Sequence, residues 1–397
     1  MKTDNVATLR AERVFLSPER VWLEELANLA RTETSLADYP NAAEVRSRVL
    51  IYDCDHVRKR AANREGRAEI LAEWAEAMMA GPGIIVLRRA FADTAPVDAA
   101  SDVFRAMIAD QHATSSGGGD HFAKPGANDR IWNALEKLCL RAPEVFAGYY
   151  GNEILAMVSE AWLGPAYQIT SQVNVVNPGG EAQSAHRDYH LGFMTPEQMA
   201  HYPAHVHRLS PALTLQGAVA HCDMPVESGP TLYLPYSQKY EAGYLAVTAP
   251  EFRAFFAEHH VQLPLAKGDA AFFNPALFHA AGHNRSADIR RMANLLQVSS
   301  AFGRAMESLD RTRMSAALYP VLSRLISAGA LSLQAADLAI AACAEGYAFP
   351  TNLDRDPPIG GLAPPSQQAL LRAALKEGRT AEQVLADLAD QAERRLT

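Results

Sequence analysis

A mainly β core between helical flanks is the fold class predicted by this 397-residue chain. Two textures carry that expectation. Residues 81–303 alternate short β-branched runs with Pro/Gly turns, whereas the segments before and after them place apolar residues at helical spacing. The expected organisation is an N-terminal helical layer over 1–80, a core over 81–303 and a C-terminal helical extension over 304–397. Composition agrees with a globular protein, at 48% hydrophobic and 21% charged residues. With 37 Lys+Arg against 45 Asp+Glu the net charge is −8, which argues against nucleic acid or an anionic membrane surface as the main partner.

The elements follow in order. GRAEILAEWAEAMMA (66–80) puts Ile70, Leu71, Trp74, Met78 and Met79 on one helical stripe that Gly81 and Pro82 stop. GIIVLRRAF (83–91) is short, β-branched and bounded by turn residues, as a buried strand should be. YQITSQVNVVNPGG (167–180) alternates and ends in a turn; ALTLQGAVAH, GDAAFFN and MANLLQVSSAF supply further strands. Beyond the Pro/Gly-rich loop 349–365, Ser366 caps a helix that Gly378 ends. Thr380 and Gln383 then form a capping box opening the last helix, with Val384, Leu385 and Leu388 on one face.

Cys54, Cys139, Cys222 and Cys343 lie far apart with no C-x-x-C pair, so neither a disulfide framework nor a zinc knuckle is indicated and a reducing cytoplasm is expected. The first residues lack the apolar stretch of a signal peptide, and no apolar run is long enough to span a membrane. The glycines 117–119 lack the spacing and the strand-to-helix context of a nucleotide-binding loop, and read as a plain loop.

Thirteen histidines are more informative. Two tripeptides have the form H-x-D, His186-Arg187-Asp188 and His221-Cys222-Asp223. On a strand or its edge, residues i and i+2 point to one side, so such a pair offers an imidazole nitrogen and a carboxylate oxygen to one cation. A third ligand from another strand completes a two-His-one-carboxylate face that leaves open positions on Fe(II) for substrates and O2. His186 follows a strand whose one side is Gln168, Thr170, Gln172 and Asn174, a polar face suggesting either a ligand-lined cavity or solvent. His221 shares parity with Leu213, Leu215 and Val219, and Asp223 opens a turn, so this second pair reads as structural. The third ligand is His279 or His283, and Arg290 or Arg291 follows on the next strand. A guanidinium there suits a dicarboxylate cosubstrate, because its fork binds a carboxylate bidentately.

Taken together these segments resemble the phytanoyl-CoA dioxygenase-like family of Fe(II)/2-oxoglutarate oxygenases, over roughly residues 80–303. Four stretches carry the resemblance in the family's order. GPGIIVLRRAF resembles its opening segment, AHRDYHLGF its H-x-D segment, DMPVESGPTLYLPYSQ its middle turn segment, and HAAGHNRSADIR its distal H-x-x-G-x-N-x-S-x(3)-R segment. The resemblance implies a double-stranded β-helix (jelly-roll) core. It also implies His186, Asp188 and His279 as iron ligands, Arg290 as the anchor of 2-oxoglutarate, and Asn174 as a cosubstrate contact. His283 and Arg291 are then the rejected alternatives. The chain departs from the pattern at Ala281, where many members carry Ser or Thr, so the anchoring arginine needs another hydroxyl partner; Ser-Gly-Pro at 228–230 and PYSQ at 235–238 also differ.

The activity implied is hydroxylation of a small-molecule C–H bond, with 2-oxoglutarate and O2 consumed and succinate and CO2 released. The alternatives are desaturation, cyclisation or epimerisation at the same iron, or a non-catalytic metal-binding jelly roll. Having Asp188 rather than Ala or Gly argues against halogenation, since the carboxylate takes the position a halide needs. No Lys/Arg cluster marks a path for CoA phosphates, and His205, His207 and Arg208 read as a solvated loop. Tyr189, His190, Phe193 and Met194 are left between pocket lining and plain packing.

Overall fold

The computed structural model describes residues 10–114 and 126–397, so the glycines 117–119 lie outside the described residues. Among the described residues eleven strands are formed: β1 (Glu44–Arg46), β2 (Val49–Asp53), β3 (Ile84–Arg88), β4 (Asn128–Ile131), β5 (Gln168–Val176), β6 (Thr214–Ala220), β7 (Leu232–Leu234), β8 (Val261–Gln262), β9 (Ala270–Phe273), β10 (Phe278–Ala280) and β11 (Arg291–Ser299). They make an eight-stranded mixed sheet in the order β1-β2-β3-β9-β6-β11-β5-β4 and a three-stranded sheet in the order β10-β7-β8. Each expected strand is present. The segment 1–80, expected as a helical layer, carries helices and also β1 and β2, which extend the large sheet, with β2 parallel to β3.

Contacts divide the chain into two compact units that do not follow the segments expected from sequence. The first holds the described residues up to Ala92, those from 126 to Asp129, and Asn174–Leu295. Its core is built by strand alternation: Val49, Ile51, Ile84, Val86, Ala271 and Phe273 from one face of the large sheet pack against Tyr233 of the small sheet, with Leu263 and Leu277. Burying each large apolar side chain stabilises by about 1.5–3 kcal/mol, so this shared face fixes both sheets. Alternation along β7 and β10 sends Tyr233 and His279 to this inner side, and Leu234, Phe278 and Ala280 to a second core with Leu26, Tyr240 and Phe252. The helix Arg64–Met79 is capped by Asn63 and buries Ile70, Trp74 and Met78, while Met79 is exposed. Its buried Glu73 accepts from Tyr52 of β2 at 2.9 Å and from the Asn41 side chain at 2.8 Å, tying helix to sheet.

The second unit holds Asp93 to 114, Arg130–Val173 and Leu296–Thr397, and is mostly helical. Arg311, at the start of the helix Arg311–Ser327, is buried and donates to the carbonyls of Ile169, Ala342 and Cys343. The Ser366 and Thr380 caps form as expected, Gly378 adopts the left-handed C-cap conformation, and Val384 and Leu388 are buried while Leu385 is exposed. Among the described residues no helix is long and apolar enough to cross a membrane.

Candidate metal centre and adjoining cavity

His186 and His279 face each other across an antiparallel bridge in which each backbone N–H donates to the other's carbonyl, at 3.0 and 3.2 Å. This pairing puts both imidazoles on one side, with ring centres 4.4 Å apart. The pleat returns Asp188 to the same side, 3.9 Å from His186 Nε2 through Oδ1 and 3.5 Å from His279 Nε2 through Oδ2. Among the described residues, these three form the group of His, Cys, Asp and Glu side chains able to hold a metal ion, with one ligand atom from each lying within 4.8 Å of the others.

Each ring is held by its own stretch of backbone. Nδ1 of His186 lies 2.9 Å from the Ser184 carbonyl and Nδ1 of His279 lies 2.9 Å from the Leu277 carbonyl. A carbonyl only accepts, so Nδ1 carries the proton in both rings and Nε2 keeps its lone pair for a metal. Burial, then the neighbouring His279 ring, holds His186 below the ordinary imidazole pKa and therefore neutral. Burial opposes ionisation of Asp188, yet its carboxyl is held well below the usual range, with the Gln216 amide donating to it. Two imidazole nitrogens and one carboxylate oxygen are the donor set that suits a divalent iron with open positions.

The backbone around Asp188 is clamped. Its N–H donates to Pro275 O at 3.2 Å, and its carbonyl accepts from Tyr244 Oη at 3.1 Å. The next two residues, Tyr189 and His190, both have left-handed φ, 62° and 45°, a conformation costing about 1–3 kcal/mol per non-glycine residue that the surrounding contacts must hold. Arg187, between His186 and Asp188, points the other way. Its guanidinium is buried, donates to Ser237 O at 2.6 Å and Tyr240 O at 2.8 Å, and lies 5.1 Å from the ring centres of both Tyr244 and Phe278. A Cβ on Gly243 would sit 2.1 Å from the Arg187 guanidinium carbon, so a side chain there would have to displace that guanidinium.

A cavity of about 50 Å³ adjoins the cluster along β6 and β7. Gln216, which bonds Asp188, shares its β6 face with Ala218 and Ala220, both lining the cavity; Tyr233, cross-strand neighbour of His279, lines it too. The walls are otherwise apolar, including Val86, Leu263 and Leu295, with Asn174, Thr231 and Arg291 as polar exceptions. Asn174 is thus on the cavity wall, and accepts from Asn128 Nδ2 at 3.4 Å.

Arg290 is not. It is exposed, whereas Arg291 is buried and lines the cavity. The parity argument holds, since only one of two consecutive residues can face inward, but the strand begins at Arg291 and its inward set is Arg291, Ala293 and Leu295. The cause lies in the preceding loop. Buried Asn284 donates to Val176 O and Ile289 O and accepts from the Ser286 backbone and hydroxyl, which fixes the turn that delivers Arg291. Burial lowers the Arg291 pKa to about 10, and among the described residues no carboxylate pairs with it.

His283 stays outside the donor set. His221 is buried with its N–H on Met292 O, and Asp223 accepts from Lys267 N at 2.9 Å, as a structural pair would. Tyr189 is buried and Phe193 exposed, while Met194 lines a shallow surface depression with Gln198, His201 and Tyr202 rather than the cavity beside Arg291. The stretch 205–208 is helical rather than a loop; His207 is buried against Met199 O, and Arg208 pairs with Glu241. Gln216, Tyr244 and Arg187 are the residues that sequence reasoning missed. Gln216 left one signal, a lone amide on the side of β6 opposite Leu215 and Val219.

The sequence model of the phytanoyl-CoA dioxygenase (PhyH) family matches residues 67–292, more than half of the chain. The chain belongs to the phytanoyl-CoA dioxygenase family. It is accordingly a non-haem iron enzyme that uses Fe(II), 2-oxoglutarate and O2, and the His-Asp-His donor set is what such a family member needs. Among solved structures it is similar to the non-heme alpha ketoglutarate dependent epimerase SnoN from nogalamycin biosynthesis, at 20% identity, TM-score 0.41, and 58% of this chain on 84% of that one. It is also similar to the carbocyclase SnoK from the same biosynthesis, at 18% identity, TM-score 0.40, and 61% on 88%. EvdMO1 follows at 16% identity, TM-score 0.41, and 58% on 50%. No curated protein matches the chain.

Proposed function

We propose that this family member hydroxylates a C–H bond of a small molecule in the cytoplasm, converting 2-oxoglutarate to succinate and CO2. In this reading His186, Asp188 and His279 hold the iron, and Arg291, in place of the expected Arg290, holds the far carboxylate of 2-oxoglutarate. The observation that carries it is the pairing of a three-donor cluster with a buried guanidinium lacking a carboxylate partner. A buried charge without a partner is costly, and an incoming dicarboxylate removes that cost. Bound iron with 2-oxoglutarate supplies an oxidant able to remove hydrogen from carbon.

The chain's own groups do the rest. Thr231 provides the hydroxyl that Ala281 lacks, and burial raises the Tyr233 phenol to about 12, so it stays protonated beside Arg291 as a second donor. Asn174 contributes an amide at the same wall. Apolar side chains exclude water, which strengthens each of these contacts. The two sheets joined through Phe273, Val86 and Tyr233 are read as the walls of a double-stranded β-helix.

The test is anaerobic loading with Fe(II) followed by 2-oxoglutarate, which should produce a metal-to-ligand charge-transfer band. Admitting O2 with a panel of small molecules should then release succinate. A product heavier by one oxygen supports hydroxylation; loss of two hydrogens, or unchanged mass, assigns the site to desaturation or epimerisation. A loaded protein that shows no band and no succinate would overturn the reading.

A further inference from the structure

A carboxylate can bind a metal through one oxygen or through both. With two imidazoles present, one oxygen leaves three of six octahedral positions open and two oxygens leave only two. A cosubstrate that chelates through a keto acid fills two positions, so O2 requires the third. Both Asp188 oxygens lie near the imidazole nitrogens, at 3.9 and 3.5 Å, and geometry within the triad therefore leaves the choice open.

Gln216 resolves it. This residue is 6% exposed on β6, and its side-chain nitrogen donates to Asp188 Oδ2. Because a carboxylate only accepts, the amide must present its NH2 to Asp188 and turn its carbonyl away. That carbonyl, Oε1, is buried and has no hydrogen-bond partner among the described residues. Leaving an acceptor buried without a donor costs about 1–3 kcal/mol, which a leucine or methionine filling the same space would avoid. The amide is thus kept for its contact with Asp188. Its strand is held in place too: a Cβ on Gly217 would meet the Phe272 ring at 2.3 Å, and Phe273, cross-strand from Gln216, lays its ring 4.7 Å from that of His279.

We propose that Gln216 is a positioning residue that occupies Asp188 Oδ2 and confines the carboxylate to one-oxygen coordination through Oδ1, keeping three positions on the iron. The inference rests on reading His186, Asp188 and His279 as the iron site. It is tested on the full chain with Gln216→Met, which keeps length and removes the donor, and with Gln216→Leu. Each variant should bind Fe(II), but with Oδ2 released its Fe(II) form should bind 2-oxoglutarate about 10- to 100-fold more weakly, with a weaker charge-transfer band at saturation. His186→Ala serves as the control. If it leaves Fe(II) affinity unchanged, the iron-site reading fails. If it abolishes Fe(II) binding while both Gln216 variants keep wild-type 2-oxoglutarate affinity and band, the iron site stands and the role of Gln216 falls. If both Gln216 variants unfold, the residue holds the core rather than Asp188, and the proposal is likewise overturned.

Discussion

The pattern His-x-Asp occurs twice in this chain, and the two copies meet different fates. At 186–188 the strand edge bridges β10, so His279 arrives opposite His186 and three donors converge. At 221–223 the chain leaves β6 beside β11; His221 donates its N–H to Met292 O, and the Asp223 carboxylate is used by Lys267 N at a turn. Parity separates them as well, since His221 falls on the side of Leu215 and Val219, away from the cavity face of Gln216, Ala218 and Ala220. Two residues with the right spacing make a ligand pair only where a third strand supplies a donor in register.

The largest expected effect breaks one copy and spares the other. His186→Ala or His279→Ala should weaken Fe(II) binding by roughly 100-fold or more in anaerobic titration, beyond the usual effect of residues that merely support ligands. His221→Ala should keep Fe(II) affinity and lower unfolding stability by about 1–3 kcal/mol. Fe(II) loss in the His221 variant with retention in the His186 variant would reverse the assignment of the two copies.

Next comes the arginine pair 290–291, of which only Arg291 lines the cavity. Arg291→Ala should raise the 2-oxoglutarate dissociation constant by about 30-fold or more, the counterpart of roughly 2–5 kcal/mol for losing a desolvated guanidinium opposite a carboxylate. Arg290→Ala should leave it unchanged, and Fe(II) affinity should hold in both. Equal 2-oxoglutarate binding by wild type and the Arg291 variant would sink that role.

The middle residues sharpen the contrast further. Arg187→Met removes the donors of two buried carbonyls and should destabilise the metal-free protein by about 2–5 kcal/mol in urea unfolding. Asp223→Ala should cost about 0.5–1.5 kcal/mol through the lost bond to Lys267 N, with no change in metal binding. Smallest of all, Cys222→Ala, at a half-buried position, should stay within about 0.5 kcal/mol.

What the sequence made legible was whatever is coded locally. The helix Arg64–Met79, the strands β3, β5, β6, β9 and β11, and the caps at Ser366 and Thr380 each rest on a periodicity or a cap within a dozen residues. The grouping of His186, Asp188 and His279 was legible from spacing and resemblance together. What escaped was set by distant pairing. β1 and β2 are short, and their strand character comes from pairing, β1 with β2 and β2 with β3, rather than from their own pattern. The inward arginine depends on where β11 starts, which the Asn284 bonds decide and a count of residues from His279 does not. Gln216 became visible only once β6 lay next to Asp188.

The local anchoring of the two imidazoles bears on how such a protein can change over generations. Each ring takes its orientation from a carbonyl two residues earlier in the chain, Ser184 for His186 and Leu277 for His279. The orientation therefore travels with a tripeptide and does not depend on Val86, Leu263, Leu295 or any other residue of the cavity wall. Wall residues can be exchanged one at a time for others of similar volume, remodelling what the cavity admits, while the rings stay aimed as they were. A lineage built on this plan can explore new substrates without first losing its metal.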